Sequence, residues 1–168
     1  MNIREKFIHI NYQIENVFLL TVIRHGLIMM IPPEYMWLEI TEQDMITNAD
    51  FVIDKLKRLK NCGHVLLIDD FGMGHTSLIY LQSNYFGVVK LDGSLVKHLL
   101  DNPTNQKIVA SIVELGKELG VKVIAEYVET EEQCQKLQEL GCIWYQGYLF
   151  NKPLSLDEFI TYMKKCNC

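Results

Sequence analysis

No two of the five cysteines stand at Cys-x-x-Cys spacing, and their number is odd. Cys62, Cys134, Cys142, Cys166 and Cys168 therefore offer no disulfide framework, and they fit a reducing cytoplasm. Cys166-Asn167-Cys168 reads as a frayed tail rather than a grip for a soft metal. Long apolar runs are missing as well. The most apolar stretch near the N-terminus, Val17 to Ile31, is broken by Arg24 and His25 and is too short to span a bilayer. No charged-then-apolar leader opens the chain, so no membrane segment is expected. Basic charge is scarce and scattered: 16 Lys and Arg face 21 Asp and Glu, for a net charge of -5. That argues against a nucleic-acid polymer as the main partner. No GxGxxG or Walker sequence follows any apolar run, which removes the usual support for a nucleotide-binding doubly wound sheet.

What is present suits one globular domain. The chain has 168 residues, 49% hydrophobic and 22% charged. Apolar runs alternate with helical periodicity along its whole length. The expected strands are Phe7 to Ile10, Tyr35 to Ile40, His64 to Ile68, Gly87 to Leu91, Val121 to Ala125 and Ile143 to Phe150. Helices are expected from about Glu15 to Ile31, from Asn48 to Gly63, from Thr76 to Gln82 and from Asn105 to Leu119. Two more follow, one from a capping box at Thr130 and Gln133 to Leu140, the other beyond a Ser155 cap. About six strand-helix units with near-continuous apolar strands imply a parallel sheet covered by helices. The fold class expected is α/β, an incomplete TIM-type (β/α) barrel, with function at the C-terminal ends of its strands.

The polar groups fall at those ends. Asp69-Asp70 follow the apolar run Val65-Leu66-Leu67-Ile68, and two adjacent carboxylates there repel each other unless a cation compensates. Asn11 ends the first strand and Glu39 ends the second. Lys90 comes late in the fourth, Glu126 and Glu129 follow the fifth, and Gln146 lies in the sixth. Singly, each has a structural explanation: a turn residue, a capping pair of Glu39 with Glu42, a snorkelling lysine, acids at a helix N-terminus. Together they share one face. Oxygen ligands without His or Cys select hard cations, Mg²⁺ or Mn²⁺, with Ca²⁺ a further candidate. So many carboxylates suit a two-metal site that clamps a phosphodiester, with Lys90 opposing the developing negative charge.

These residues resemble the EAL family of bacterial cyclic di-GMP phosphodiesterases. The matching segments are Leu38-Glu39-Ile40-Thr41-Glu42, Ile68-Asp69-Asp70-Phe71-Gly72-Met73-Gly74, Val89-Lys90-Leu91-Asp92, Ala125-Glu126-Tyr127-Val128-Glu129-Thr130 and Gln146-Gly147-Tyr148-Leu149-Phe150 with Lys152-Pro153. Ile8-His9-Ile10-Asn11 is similar to the family's asparagine-bearing strand. The resemblance implies that Asn11, Glu39, Asp69, Asp70 and Glu126 bind metal. Lys90 and Glu129 would hold or activate the metal-bound water, Gln146 and Asp92 would contact substrate, and Glu42 would steady the loop after the aspartate pair. It implies Mg²⁺ or Mn²⁺ as cofactor, Ca²⁺ as an inhibitory ion and cyclic di-GMP as ligand.

The sequence also departs from the family pattern. It begins at what resembles the third barrel strand, so residues 1–168 are expected to form a single partial domain comprising strands three to eight. No Glu-Ala-Leu occurs in it. Tyr127 stands for a usual glycine, Met73 for a threonine and His75 for a tyrosine. The expectation is a cytoplasmic module with a weakened metal site and impaired or absent hydrolysis, serving cyclic di-GMP signalling or protein interaction. The alternative is an active phosphodiesterase completed by self-association. Open sheet edges make a homodimer the expected assembly.

Overall fold

The computed structural model describes residues 9–11, 32–35, 37–41, 49–72 and 77–165. Its strands are β1 (His9–Asn11), β2 (Trp37–Thr41), β3 (Val65–Phe71), β4 (Phe86–Leu91), β5 (Lys122–Ala125) and β6 (Trp144–Tyr145). The helices are α1 (Ala49–Asn61), α2 (Ser77–Gln82), α3 (Gly93–Lys97), α4 (Pro103–Leu119), α5 (Glu131–Glu139) and α6 (Leu156–Lys165). The six strands form one parallel sheet in chain order, β1 to β6. Sequential parallel order with intervening helices is the pattern of a (β/α) barrel wall, as expected. The helix expected between Glu15 and Ile31 lies outside the described residues. Among the described residues no helix is long and apolar enough to cross a membrane.

Alternation along each strand separates two apolar layers. Leu38, Ile40, Leu66, Ile68, Val89, Leu91, Val123 and Ala125 turn to the helices, where Leu56, Val109, Val113 and Leu137 meet them. The other parity, Trp37, Leu67, Val88 and Ile124, packs together on the opposite face. One step along the same parity come Glu39, Asp69, Lys90 and Glu126. The inner face is therefore apolar at the N-terminal ends of the strands and charged at the C-terminal ends.

Local chemistry explains the helix boundaries. Asn102 caps α4 with Pro103 next to it, and Gly120 ends the helix at φ 68. The Thr130–Gln133 capping box at α5 forms as expected. Two expectations need correction. Helix α3 was not anticipated, although Asp92 caps it by accepting from Ser94 N at 2.7 Å. The sixth strand is Trp144–Tyr145, shorter than the expected Ile143 to Phe150. Beyond Tyr145 the chain turns back on the β5–α5 loop. Val128 N donates to Gln146 O at 3.1 Å, Leu149 N to Val128 O at 3.0 Å, and Phe150 N to Gly147 O at 3.1 Å. Gly147 lies so close to the Val128 backbone that any Cβ would collide with it.

Cys142 ties β6 to β5 from within the core. It is 1% exposed, and its Sγ lies 3.6 Å from Val123 O and 3.4 Å from Trp144 O. Burial pushes its thiol up to about 11. The folded chain therefore holds Cys142 neutral, an advantage complete below the unfolded value near 9. It is lost as pH rises through 11. Urea unfolding is expected to show stability falling by about 2 to 3 kcal/mol from this group over that window. Cys142→Ala should flatten this part of the slope; an unchanged slope would contradict the assignment.

Candidate metal centre

The position of Asp69 and Asp70 is set by an interruption in the β3–β4 ladder. Ile68 pairs with Val89 and Phe71 with Leu91, so two residues of β3 stand opposite Lys90 alone. This is a β-bulge, and Asp70 adopts φ 55 within it. Aspartate tolerates the left-handed region better than most side chains. In a regular strand consecutive side chains point to opposite faces. The bulge removes that alternation, so Asp69, Asp70 and Glu126 each offer a carboxylate oxygen within 4.8 Å of the others.

Lys90 is the hub beneath them. Its Nζ lies 2.5 Å from Glu126 Oε1, 3.1 Å from Asp69 Oδ1 and 3.2 Å from Glu39 Oε1. Lys90 and Glu39 are each 4% exposed and Glu126 7%. Burial works against the lysine's charge, but Glu126, Asp69 and Glu39 outweigh it and hold the ammonium above the ordinary lysine range. Three carboxylates share that one cation, and Asp70 is a fourth at the rim. The excess negative charge appears in the proton affinities of Glu126 and Asp70. Burial raises the Glu126 carboxyl above its usual range, against the pull of Lys90, with Asp69 and Glu39 adding to the rise. Asp70 is raised by partial burial, then by Asp69 and Asp92. Such a cluster is stabilised by a proton or by a further cation.

A divalent ion fits this arrangement. Asp69 Oδ1 is buried and, although close to Lys90 Nζ, accepts no hydrogen bond of proper geometry. A buried carboxylate oxygen without a hydrogen bond, in an all-oxygen set with net negative charge, is the donor chemistry of a hard cation.

The remaining expected residues divide into three groups. Glu129 and Gln146 join Glu126, Tyr127, Gly147 and Tyr148 around an open groove of about 240 Å³ beside the acid cluster. Asp92 stands close enough to raise Asp70, but its carboxylate is engaged as the α3 cap. Asn11 is in register with Glu39 across the β1–β2 pair; Glu42 lies outside the described residues, as do Met73 and His75. The aromatic rim was not anticipated. Tyr127 is half-exposed at φ 54, lies over Gly93, and carries the Lys97 ammonium 4.3 Å from its ring centroid. An aromatic residue where glycine would relieve the backbone was its only signal in the sequence.

Comparison with known proteins places this geometry among relatives. The model of the EAL domain family matches residues 7–153. The chain is 37% identical over 132 residues to the cyclic di-GMP phosphodiesterase RocR of Pseudomonas aeruginosa, covering 79% of this chain and 34% of that protein. It superposes on the PaMucR phosphodiesterase, solved as a c-di-GMP complex, with a TM-score of 0.80 and 33% identity, over 89% of this chain and 62% of that one. Klebsiella pneumoniae BlrP1, solved with manganese and cyclic di-GMP, gives a TM-score of 0.74 and 36% identity over 80% of this chain and 34% of its own. The chain spans 16% to 34% of the length of such curated relatives.

Proposed function

The chain belongs to the EAL domain family, and on that premise we propose that it binds cyclic di-GMP at a divalent metal centre and hydrolyses it slowly or not at all. The observation that carries this reading is the cluster of Asp69, Asp70 and Glu126 oxygens around a buried, ion-paired Lys90. We read residues 1–168 as one partial domain whose β1 to β6 are the family's third to eighth strands.

Asp69, Asp70 and Glu126 would hold Mg²⁺ or Mn²⁺, with Glu39 and Asn11 beside them. Ca²⁺ would occupy the same oxygens as an inhibitory ion. When bound, the metal supplies charge neutralisation for a phosphodiester and acidity for a water molecule. The chain's own residues do the rest. Lys90, kept charged by its carboxylates, opposes negative charge that develops on the phosphate oxygens. Glu129, at the groove's edge, accepts a proton from the attacking water. Gln146 and the aromatic rim line the groove in which the dinucleotide would lie, and Asp92, at the α3 cap, would contact it.

Weak hydrolysis is the reading for residues 1–168 taken by themselves, which hold no Glu-Ala-Leu. By itself the chain brings one carboxylate fewer than the family's site, and losses of grouped catalytic residues commonly cost orders of magnitude in rate. A second reading, an active enzyme completed by self-association, is favoured by the intact Lys90 cluster. Purified chain incubated with cyclic di-GMP and Mn²⁺ decides between them. Binding with little linear dinucleotide formed is the expected result. Rapid turnover abolished by Asp69→Asn would establish the active enzyme instead. We read the assembly as a homodimer, and light scattering at the mass of one chain would contradict that part.

A further inference from the structure

The β5–α5 loop carries Glu126 and Glu129, and one buried side chain ties it to the neighbouring loop. Gln133 is 8% exposed. Its Oε1 accepts from Glu129 N at 2.8 Å and from Thr130 N at 3.1 Å, while its own N–H donates to Thr130 Oγ1 at 3.2 Å. These bonds complete a capping box, and a local cap needs no more. Gln133 does more. Its Nε2 donates to Val96 O at 3.3 Å, 37 residues away in α3.

Helix α3 leaves the end of β4 directly after Lys90 and carries Asp92 at its cap. It is held from the other side by Asn105 Nδ2, which donates to Ser94 O and Leu95 O, and by Gln106 Nε2, which donates to Leu99 O at 2.8 Å. Tyr127 lying over Gly93 joins the same two loops at the surface. The Gln133 amide thus ties the loop that bears Glu129 to the helix that Asp92 caps, with Tyr127 against Gly93 as a second contact between them.

We propose that Gln133 is a positioning residue for the groove: through its bridge to Val96, it fixes Glu129 and the aromatic rim relative to α3. The inference rests on the cyclic di-GMP reading above. It also separates two functions of one side chain. A carboxylate at this position keeps the cap, since Glu is as good a partner as Gln in a capping box and favours a helix N-terminus. It cannot donate to Val96 O, and its second oxygen repels that carbonyl.

Gln133→Glu is therefore the informative variant, with Gln133→Ala removing both cap and bridge. Mn²⁺ uptake and cyclic di-GMP binding are measured by calorimetry on folded protein, with thermal melting alongside. Gln133→Glu should melt within a few degrees of the parent and take up Mn²⁺ within twofold, because Asp69, Asp70 and Glu126 are untouched. Its cyclic di-GMP affinity should fall about five- to tenfold, and that of Gln133→Ala at least as far. Unchanged cyclic di-GMP affinity in Gln133→Glu, with the parent binding normally, would overturn this inference alone. A parent chain that binds no cyclic di-GMP would overturn both readings together.

Discussion

Lys90→Met is expected to destabilise the metal-free chain by about 3 to 5 kcal/mol near neutral pH, the cost typical of removing one partner from a buried ion pair. The substitution keeps a buried stem of similar length but takes the ammonium from Glu39, Asp69 and Glu126. Two buried carboxylates and the partly buried Asp69 are then left without their counter-charge. Two further responses distinguish this from a packing defect. The deficit should shrink towards pH 5, because Glu126, whose carboxyl burial already raises, takes up a proton once the lysine is gone and the charge problem eases. It should also shrink with millimolar Mn²⁺, which replaces the lost positive charge. Urea midpoints at pH 8 and pH 5, with and without the ion, contain the whole prediction. If the variant does not fold at pH 8, its recovery at pH 5 is the readout. A deficit below about 1 kcal/mol, indifferent to pH and metal, would be that of an exposed pair and would contradict the role of Lys90 as hub.

Asp69→Asn is expected to act in the opposite sense on fold and site. Removing one negative charge from an over-acidic cluster should leave the metal-free fold at least as stable, as happens where function maintains strain. Mn²⁺ affinity should fall by about 100-fold or more, since even supporting groups around a metal contribute 10- to 100-fold. Calorimetric titration with Mn²⁺ and a melting curve on the same sample test both signs. Loss of stability with retained Mn²⁺ affinity would make Asp69 a structural acid rather than a ligand.

Much of this was readable from the sequence because the barrel rule is strong. Apolar runs at regular intervals gave the parallel order, and the Thr130–Gln133 pattern located α5. Glu39, Asp69, Lys90 and Glu126 were assigned to one mouth from strand ends alone, and the fold brings them into contact. What was hidden depends on backbone irregularity. Strict alternation would have separated Asp69 from Asp70; the bulge opposite Lys90 reunites them, and nothing in Ile68-Asp69-Asp70-Phe71 signals an extra residue in the ladder. The expected sixth strand runs past β6 because Ile143 to Phe150 is rich in apolar and aromatic residues, interrupted by Gln146 and Gly147. The contacts that take the chain out of the sheet there, the close approach of Gly147 to Val128 and the backbone bonds beside it, join distant segments. Helix α3 was overlooked although Asp92-Gly93-Ser94 is a fair cap, because five residues are too few to show helical periodicity. The sequence marks Gln133 as a local cap, and its reach to Val96 is tertiary.

The costly aspartate pair thus belongs to a wider charge imbalance: three carboxylates on one lysine, with a fourth at the rim. On the function proposed above, a divalent cation would correct that imbalance and would at the same time make a site for a doubly charged dinucleotide. The most direct measurement is a calorimetric titration of the chain with cyclic di-GMP in Mn²⁺ and again in excess chelator. Binding in Mn²⁺ that is lost in chelator and lost with Asp69→Asn is the result expected. Equal binding in both conditions, or none in either, would contradict a metal-centred cyclic di-GMP site.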